Sequence, residues 1–245
     1  MVSAGISKRT TGEIMADQMV LRIPIPADTG LNHVIGQERR DVVVPALKSW
    51  MQHQGPRIIY LYGASGSGKT FLLHSVAAEL TVRADSDQWM FLALGQPDLK
   101  PDLLDDLHMP LLILDDLQAV LGNRLWEEQL FHRFQANPGQ YWLVSASGLP
   151  HHFSQIPDLQ SRLMSGLVFA IDGLNDRDLS DFLAKMAQSR GMTLEYAHRD
   201  YILQRVARTP EMMVRVIDIL DEESLRSQTQ MNWHTLRRVL EQLKN

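Results

Sequence analysis

The stretch RIIYLYGASGSGKT, residues 57–70, decides the fold of this chain of 245 residues. Its first half is a continuous apolar run that ends in glycine, which predicts a strand buried on both faces of a parallel sheet. Its second half, Gly63–Thr70, matches the pattern G-x-x-x-x-G-K-[ST] of a phosphate-binding loop, or P-loop. The segment FLLHSVAAEL follows and predicts a helix, so the order is strand, loop and helix.

The P-loop predicts a site for ADP or ATP with Mg²⁺. Its three glycines allow a tight turn that aims backbone N–H groups at phosphate oxygens, and the positive end of the next helix faces the same anion. Lys69 would bring a charge to the β- and γ-phosphates, and the Thr70 hydroxyl would ligate Mg²⁺. A flexible Gly/Ser turn is the alternative, and the flanking strand and helix argue against it. The predicted nucleotide-binding residues of the loop are Gly63, Ala64, Ser65, Gly66, Ser67, Gly68, Lys69 and Thr70.

A carboxylate for the metal is predicted in PLLILDDL, residues 110–117. Asp115 and Asp116 come at the end of this apolar strand, where the second nucleotide motif of a P-loop protein is expected. Asp115 would hold Mg²⁺ through water, and Asp116 stands where a base could orient the attacking water. The alternative is a strand that ends in a solvated acidic turn.

The rest of the chain divides into two patterns. Strands and helices alternate from Arg57 to Asp172, which predicts an α/β domain with a parallel sheet. Only helices are predicted after Leu174, with Thr209 and Asn232 as N-caps and Gly191 as a C-terminal stop. We therefore expect a disordered tail at residues 1–27, an α/β domain at 28–173 and a helical subdomain at 174–245.

Composition excludes several classes of function. The chain has no Cys, so thiolate zinc sites, disulfides and Cys nucleophiles are excluded. The formal net charge is −5 and the basic residues do not cluster, so we expect no direct sequence-specific DNA binding. No apolar run approaches the roughly 20 residues of a membrane span, and no export signal is evident, so we expect a cytoplasmic protein without a membrane partner.

These motifs together resemble the DnaA-type AAA+ ATPase family over almost the whole chain after Asp28. The segments LLILDDLQAV, WEEQLFHRFQA, YWLVSASGLP, LNHVIG and IPDLQSRL carry the resemblance. It implies an AAA+ P-loop core with a parallel five-stranded sheet, a small all-α lid and self-association through AAA+ interfaces. The resemblance also implies three sets of site residues: Val34 and Ile35, whose backbone covers the adenine; Ser145 and Ser147, the sensor 1 residues near the γ-phosphate; and Arg162, an arginine finger that acts on a neighbouring molecule.

One position departs from the family pattern. The family places a sensor 2 arginine at the start of the third lid helix, where this chain has Glu211. A carboxylate about 5 Å from phosphate charge costs roughly 3 kcal/mol at an effective dielectric near 20. Arg208 or Arg215 could substitute, and we expect weak ATPase activity or none from this chain alone.

The N-terminal stretch QMVLRIPIP, residues 18–26, is apolar and cannot be helical because of its prolines. The chain ends after the predicted lid, so we also expect no helix-turn-helix domain like that of DnaA. This combination is similar to family members that inactivate DnaA after replication starts and that dock on the DNA polymerase III β sliding clamp. Gln18, Leu21 and Ile23 fit the clamp-binding pattern at residues 18–23. The alternative is an arm that packs on its own domain.

Three functions therefore compete. The favoured one is a regulator of replication initiation, with DnaA and the β clamp as partners, that presents Arg162 to DnaA-bound ATP and prevents re-initiation. The second is an independent ATPase, such as a helicase-loader relative. The third is a small-molecule P-loop kinase, which ranks last because the predicted lid is a DnaA-like helical bundle.

Overall fold

A single parallel sheet forms the centre of the α/β domain. The computed structural model describes residues 30–83, 88–227 and 232–243. The strand order is β2-β3-β4-β1-β5 and all four pairings are parallel, so the predicted five-stranded parallel sheet is confirmed. The strands are β1 Ile58–Tyr62, β2 Trp89–Ala93, β3 Leu111–Asp115, β4 Tyr141–Ala146 and β5 Leu167–Ala170. The predicted clamp-binding residues Gln18, Leu21 and Ile23 lie outside the described residues.

Helices cover both faces of the sheet. They are α1 Val44–Met51, α2 Lys69–Val82, α3 Arg124–Ala136 and α4 Pro157–Leu163. A single π-helical turn, Arg39–Val43, leads directly into α1. Asn123 caps α3, because its side-chain oxygen accepts the backbone N–H of Leu125 at 3.1 Å.

The strands alternate their side chains between two apolar layers. In β1, Ile59 and Leu61 face the layer that contains α2, whereas Ile58 and Tyr60 face the layer that contains α3. Both sets are almost fully buried. The sheet is therefore covered on both faces, as parallel sheets generally are.

Four further helices form the lid: α5 Asp176–Ser189, α6 Tyr196–Leu203, α7 Pro210–Ser227 and α8 Trp233–Gln242. The predicted N-caps are present, since Thr209 Oγ1 accepts from Met212 N at 3.2 Å and Asn232 Oδ1 accepts from Thr235 N at 3.0 Å. Gly191 follows α5 with φ +70°, which fits its predicted role as a stop. Helix α6 ends at Leu203, and residues 204–209 form the turn into α7.

The lid shares a hydrophobic core with the α/β domain. Phe182 of α5 packs edge-on against Phe71 of α2, with ring centroids 5.2 Å apart. Leu179 and Met213 belong to the same buried cluster as Leu72. In the part of the chain that the structure describes, no helix has the length and apolarity needed to cross a membrane.

Candidate nucleotide site

The P-loop lies at the carboxyl edge of the sheet and encloses the Lys69 ammonium. Lys69 Nζ donates to the carbonyl oxygens of Gly63 and Ala64 at 2.8 and 2.9 Å, and lies 3.4 Å from Ser67 Oγ. Burial lowers the pKa of Lys69, and nearby Asp116, Asp115 and Glu211 oppose that change. The loop thus holds a buried positive charge on backbone carbonyl acceptors that a phosphate can replace.

A hydrogen-bonded group joins the ends of β3 and β4 to the start of helix α2. Thr70 Oγ1, at the start of α2, lies 3.2 Å from Asp115 Oδ1 at the end of β3. Ser145 Oγ of β4 donates to the same carboxylate oxygen and accepts the backbone N–H of Asp116 at 3.0 Å. Burial raises the pKa of the Asp115 carboxyl, and the hydrogen bonds from Ser145 and Thr70 oppose this effect. A hydroxyl and a carboxylate placed side by side are oxygen ligands of the kind that Mg²⁺ prefers.

Asp116 is held by a side chain that the sequence did not single out. Gln118 Nε2 donates to Asp116 Oδ1 at 2.9 Å, and Gln118 Oε1 accepts the backbone N–H of Ser147 at 3.0 Å. Asp116 itself has φ +58° and ψ +47°, a left-handed conformation that Asp tolerates better than most residues. Gln118 therefore connects the proposed base to the end of β4, and only the backbone of Ser147 takes part in this link.

The lid touches the P-loop at its glycines. A β-carbon on Gly66, where φ is +74°, would lie 2.7 Å from Thr209 Cγ2. A β-carbon on Gly68, where φ is +90°, would lie 3.0 Å from Pro210 Cγ. Glycine is required at both positions for its backbone conformation, and at Gly66 also for the close approach of helix α7.

The start of α7 brings Glu211 close to the phosphate-binding elements, and neither predicted substitute contacts them. Glu211 is exposed, and its carboxylate acts electrostatically on both Lys69 and Arg39. Arg208 instead pairs with Asp176 at 3.3 Å within the lid. Arg215 is exposed on the second turn of α7. The cation at this junction is Arg39, which hydrogen-bonds to the P-loop carbonyl of Ser67 at 2.8 Å. No motif marked Arg39 in the sequence.

The segment with Val34 and Ile35 is anchored beside the P-loop helix. Leu31 N donates to Glu79 Oε1 of α2 at 3.1 Å. The side chains of Val34 and Ile35 are buried in the core cluster that the lid shares. Their apolar side chains are thus fixed in the core, so their predicted contact with adenine would be made by the backbone.

Arg162 lies near the amino ends of the strands, whereas the P-loop lies at their carboxyl ends. It lines an open cavity of about 320 Å³ together with Arg57, Ile58 and Gly166, which lie at the amino ends of β1 and β5. The P-loop begins after Tyr62, at the other end of β1. Five strand residues at about 3.3 Å each separate the two edges by roughly 16 Å. Arg162 is therefore remote from the P-loop of its own chain.

A family model, a sequence relative and several solved structures match this chain. The family described as "Hda, lid domain" matches residues 176–243. A protein of uncharacterised function from Haemophilus influenzae is 31% identical over 186 residues, which span 74% of this chain and 80% of that protein. Domain III of the replication initiation protein DnaA from Thermotoga maritima superposes with a TM-score of 0.70 at 19% identity, covering 90% of this chain and 98% of that one. AMPPCP-bound DnaA from Aquifex aeolicus gives 0.62 at 18% identity, covering 84% and 71%.

The core of an AAA+ protein is defined by three features that are present here. A P-loop follows β1, an acidic pair lies at the end of β3, and a helical lid packs on the loop. With the lid match and the relatives above, the chain belongs to the DnaA/Hda type of AAA+ ATPases.

Proposed function

We propose that this protein is a regulator of replication initiation that stimulates hydrolysis of ATP bound to DnaA. It would hold an adenine nucleotide in its own P-loop, dock on the β sliding clamp through residues 18–23, and insert Arg162 into the site of DnaA. The observation that carries this proposal is the position of Arg162 at the sheet edge opposite the P-loop. An arginine there has no role at its own phosphates but is available to a neighbour's.

The surroundings of Arg162 support a role as an arginine finger. The side chain is exposed, and its guanidinium lies over the Phe131 ring at 5.3 Å from the centroid. Ser165 Oγ donates to the Arg162 carbonyl at 2.7 Å and so closes the end of α4. In the described ranges, no carboxylate pairs with Arg162. A guanidinium that is held in place but not neutralised can meet charge that develops in a partner's transition state.

The P-loop of this chain would serve mainly to bind nucleotide. Thr70 and Asp115 would hold Mg²⁺, which would neutralise phosphate charge, and the backbone of the loop would orient the phosphates. The Glu211 carboxylate offsets part of the positive charge of Lys69 and Arg39 that a phosphate would meet, and Asp116 is already engaged by Gln118. Both features support weak or absent ATP hydrolysis by the chain itself, with the chemistry taking place in DnaA.

The test is single-turnover release of phosphate from labelled ATP preloaded on DnaA, with clamp-loaded DNA present. The wild-type protein should stimulate release, and Arg162→Ala should lose nearly all stimulation while it keeps its fold, nucleotide and clamp binding. Arg fingers supplied in trans are worth about 10³–10⁵ in rate. Arg162→Lys should also fail, because an ammonium lacks the planar donor fork.

Arg124→Ala is the matched control, because Arg124 is an exposed arginine paired with Glu128 near the other edge of the sheet. It should stimulate DnaA as the wild type does. Full stimulation by Arg162→Ala would overturn the finger assignment. Rapid ATP turnover by this protein alone, without any effect on DnaA, would favour the independent ATPase.

A further inference from the structure

Arg39 is a buried cation to which the predicted site gives no role. It is 8% exposed and lies in the π-helical turn that precedes α1. The other buried cations in the described ranges are Lys69 of the P-loop and Arg133, which bonds to Gln140 at 3.2 Å near the amino edge of the sheet. Burying a charged side chain is costly unless nearby groups compensate it. The position of Arg39 therefore needs an explanation.

The hydrogen bonds of Arg39 fix it to the P-loop and to the end of β5. Its Nη2 donates to the carbonyl oxygen of Ser67 at 2.8 Å and also to the carbonyl oxygen of Asp172. Asp172 follows β5, the edge strand next to β1. Arg39 thus joins the segment before α1, the P-loop and the last strand at one point.

The other terminal nitrogen lies where the P-loop helix begins. Arg39 Nη1 would be 3.2 Å from a β-carbon on Gly68, and Pro210 of the lid would be 3.0 Å from the same atom. Gly68 is the N-cap of α2. A cation at the positive end of a helix is unfavourable while the site is empty, and becomes favourable when an anion binds there.

The charges around Arg39 also favour the binding of an anion close to it. Burial lowers the pKa of Arg39, and the carboxylates of Asp178, Asp172, Glu211 and Glu38 oppose that change. All four belong to segments that meet near the P-loop, and Glu211 also acts on Lys69. A bound phosphate would add negative charge near two cations, Arg39 and Lys69, and would also meet the like charge of Glu211.

We propose that Arg39 is a phosphate-binding residue of the nucleotide site. Its guanidinium adds a second fixed positive charge beside Lys69 and holds the P-loop near the first turn of helix α7. This inference rests on the proposed nucleotide site. Its distinguishing consequence is a dependence on phosphate charge, since a purely structural role would weaken every adenosine ligand equally.

The experiment measures the affinities of full-length variants for ATP, ADP and adenosine, the last by displacement of labelled ADP. Arg39→Gln should weaken ATP and ADP binding by about tenfold or more and adenosine binding by less than about threefold. Arg39→Lys keeps the charge and should recover most of the lost ADP affinity. Arg40→Gln is the matched control, because Arg40 is the exposed neighbour on the same turn, and it should bind all three ligands as the wild type does.

The Lys69→Ala variant and the wild-type protein separate a failure of this inference from a failure of the proposed function. Lys69→Ala should weaken ADP binding, and if it does so while Arg39→Gln binds ADP normally, the present inference is wrong and the nucleotide site stands. If the wild-type protein binds no adenine nucleotide, the proposed function itself fails. An equal loss of ATP, ADP and adenosine in both Arg39 variants would assign Arg39 a structural role only and overturn the proposal.

Discussion

At the scale of single residues, Ser145 is the side chain that links the two residues of the acidic pair. Its hydroxyl donates to Asp115 and accepts from the backbone N–H of Asp116, so one side chain satisfies both residues of the acidic pair. Ser145 is fully buried, so no solvent replaces these bonds if the hydroxyl is removed. The sequence placed Ser145 near a γ-phosphate only through a family resemblance. Its bonds to the acidic pair depend on the pairing of β3 with β4, which no local pattern encodes.

Replacing Ser145 by Ala should lower the free energy of unfolding by about 1–3 kcal/mol, because a buried carboxylate and a partly buried N–H each lose a hydrogen bond. The same change should raise the pKa of Asp115 further, since a hydrogen bond that favours its charged form is lost. Denaturant unfolding measures the first effect. Ser147→Ala is the control, because Ser147 is exposed and bonds through its backbone, and it should stay within about 0.5 kcal/mol of the wild type. Equal stabilities for the two variants would contradict the role given to Ser145.

Contacts between distant segments leave no local sequence pattern, and this also explains why the sequence did not reveal the role of Arg39. Apolar periodicity and a glycine-rich loop are local signals, and they predicted β1, the P-loop and α2 correctly. Arg39 precedes Ser67 by 28 positions and Asp172 by 133, and it belongs to no motif. Its role depends on three segments that meet only in the folded chain. Gln118, two residues from Asp116, escaped notice because an isolated glutamine carries no pattern.

At the scale of elements, the contact between helix α7 and the P-loop couples the two parts of the protein. Thr209 caps α7 with its hydroxyl and turns its methyl group towards Gly66. The N-cap prediction was correct, because Thr-Pro before an apolar run is a local signal for a helix start. The contact with Gly66 could not be predicted from the sequence, because the glycine is explained by the loop turn alone.

Gly66→Ala should weaken ADP binding by about tenfold or more, because the new methyl group enters the space of Thr209 and the positive φ is strained for Ala. Thr209→Ser removes the methyl group but keeps the capping oxygen, and it should be close to neutral by itself. In the Gly66→Ala background, Thr209→Ser should restore part of the affinity. Calorimetry with ADP measures all four combinations. Additive effects in the double variant would mean that the lid does not press on the loop.

At the scale of the whole molecule, the N-terminal peptide gives a prediction that separates docking from folding. Replacing Gln18, Leu21 and Ile23 together by Ala should abolish binding to the β clamp, because the apolar anchors and the hydrogen-bonding head are lost. Nucleotide affinity and melting temperature should remain nearly unchanged. Surface plasmon resonance on immobilised clamp measures the first quantity, and thermal unfolding with and without ADP measures the others.

A triple replacement of Ile6, Glu13 and Ile14 by Ala is the control for this prediction, since it alters the same tail outside the clamp-binding pattern. It should bind the clamp normally. Clamp binding retained by the first triple variant would remove the peptide from the mechanism. A drop in melting temperature instead would mean that the stretch packs on its own domain.

Arg162 and the P-loop lie at opposite strand ends of one sheet, so the molecule has two different functional surfaces on opposite sides. A contact that joins the arginine edge of one subunit to the nucleotide edge of the next uses two different surfaces, so it is head-to-tail rather than two-fold symmetric. In an open row of subunits, such a contact leaves one unused end surface at each end of the row. A single copy placed at the end of a row of DnaA molecules would act on the one subunit whose nucleotide faces it. Complete inactivation of the row would then require repeated release and re-docking, so its rate would depend on how fast the copies exchange.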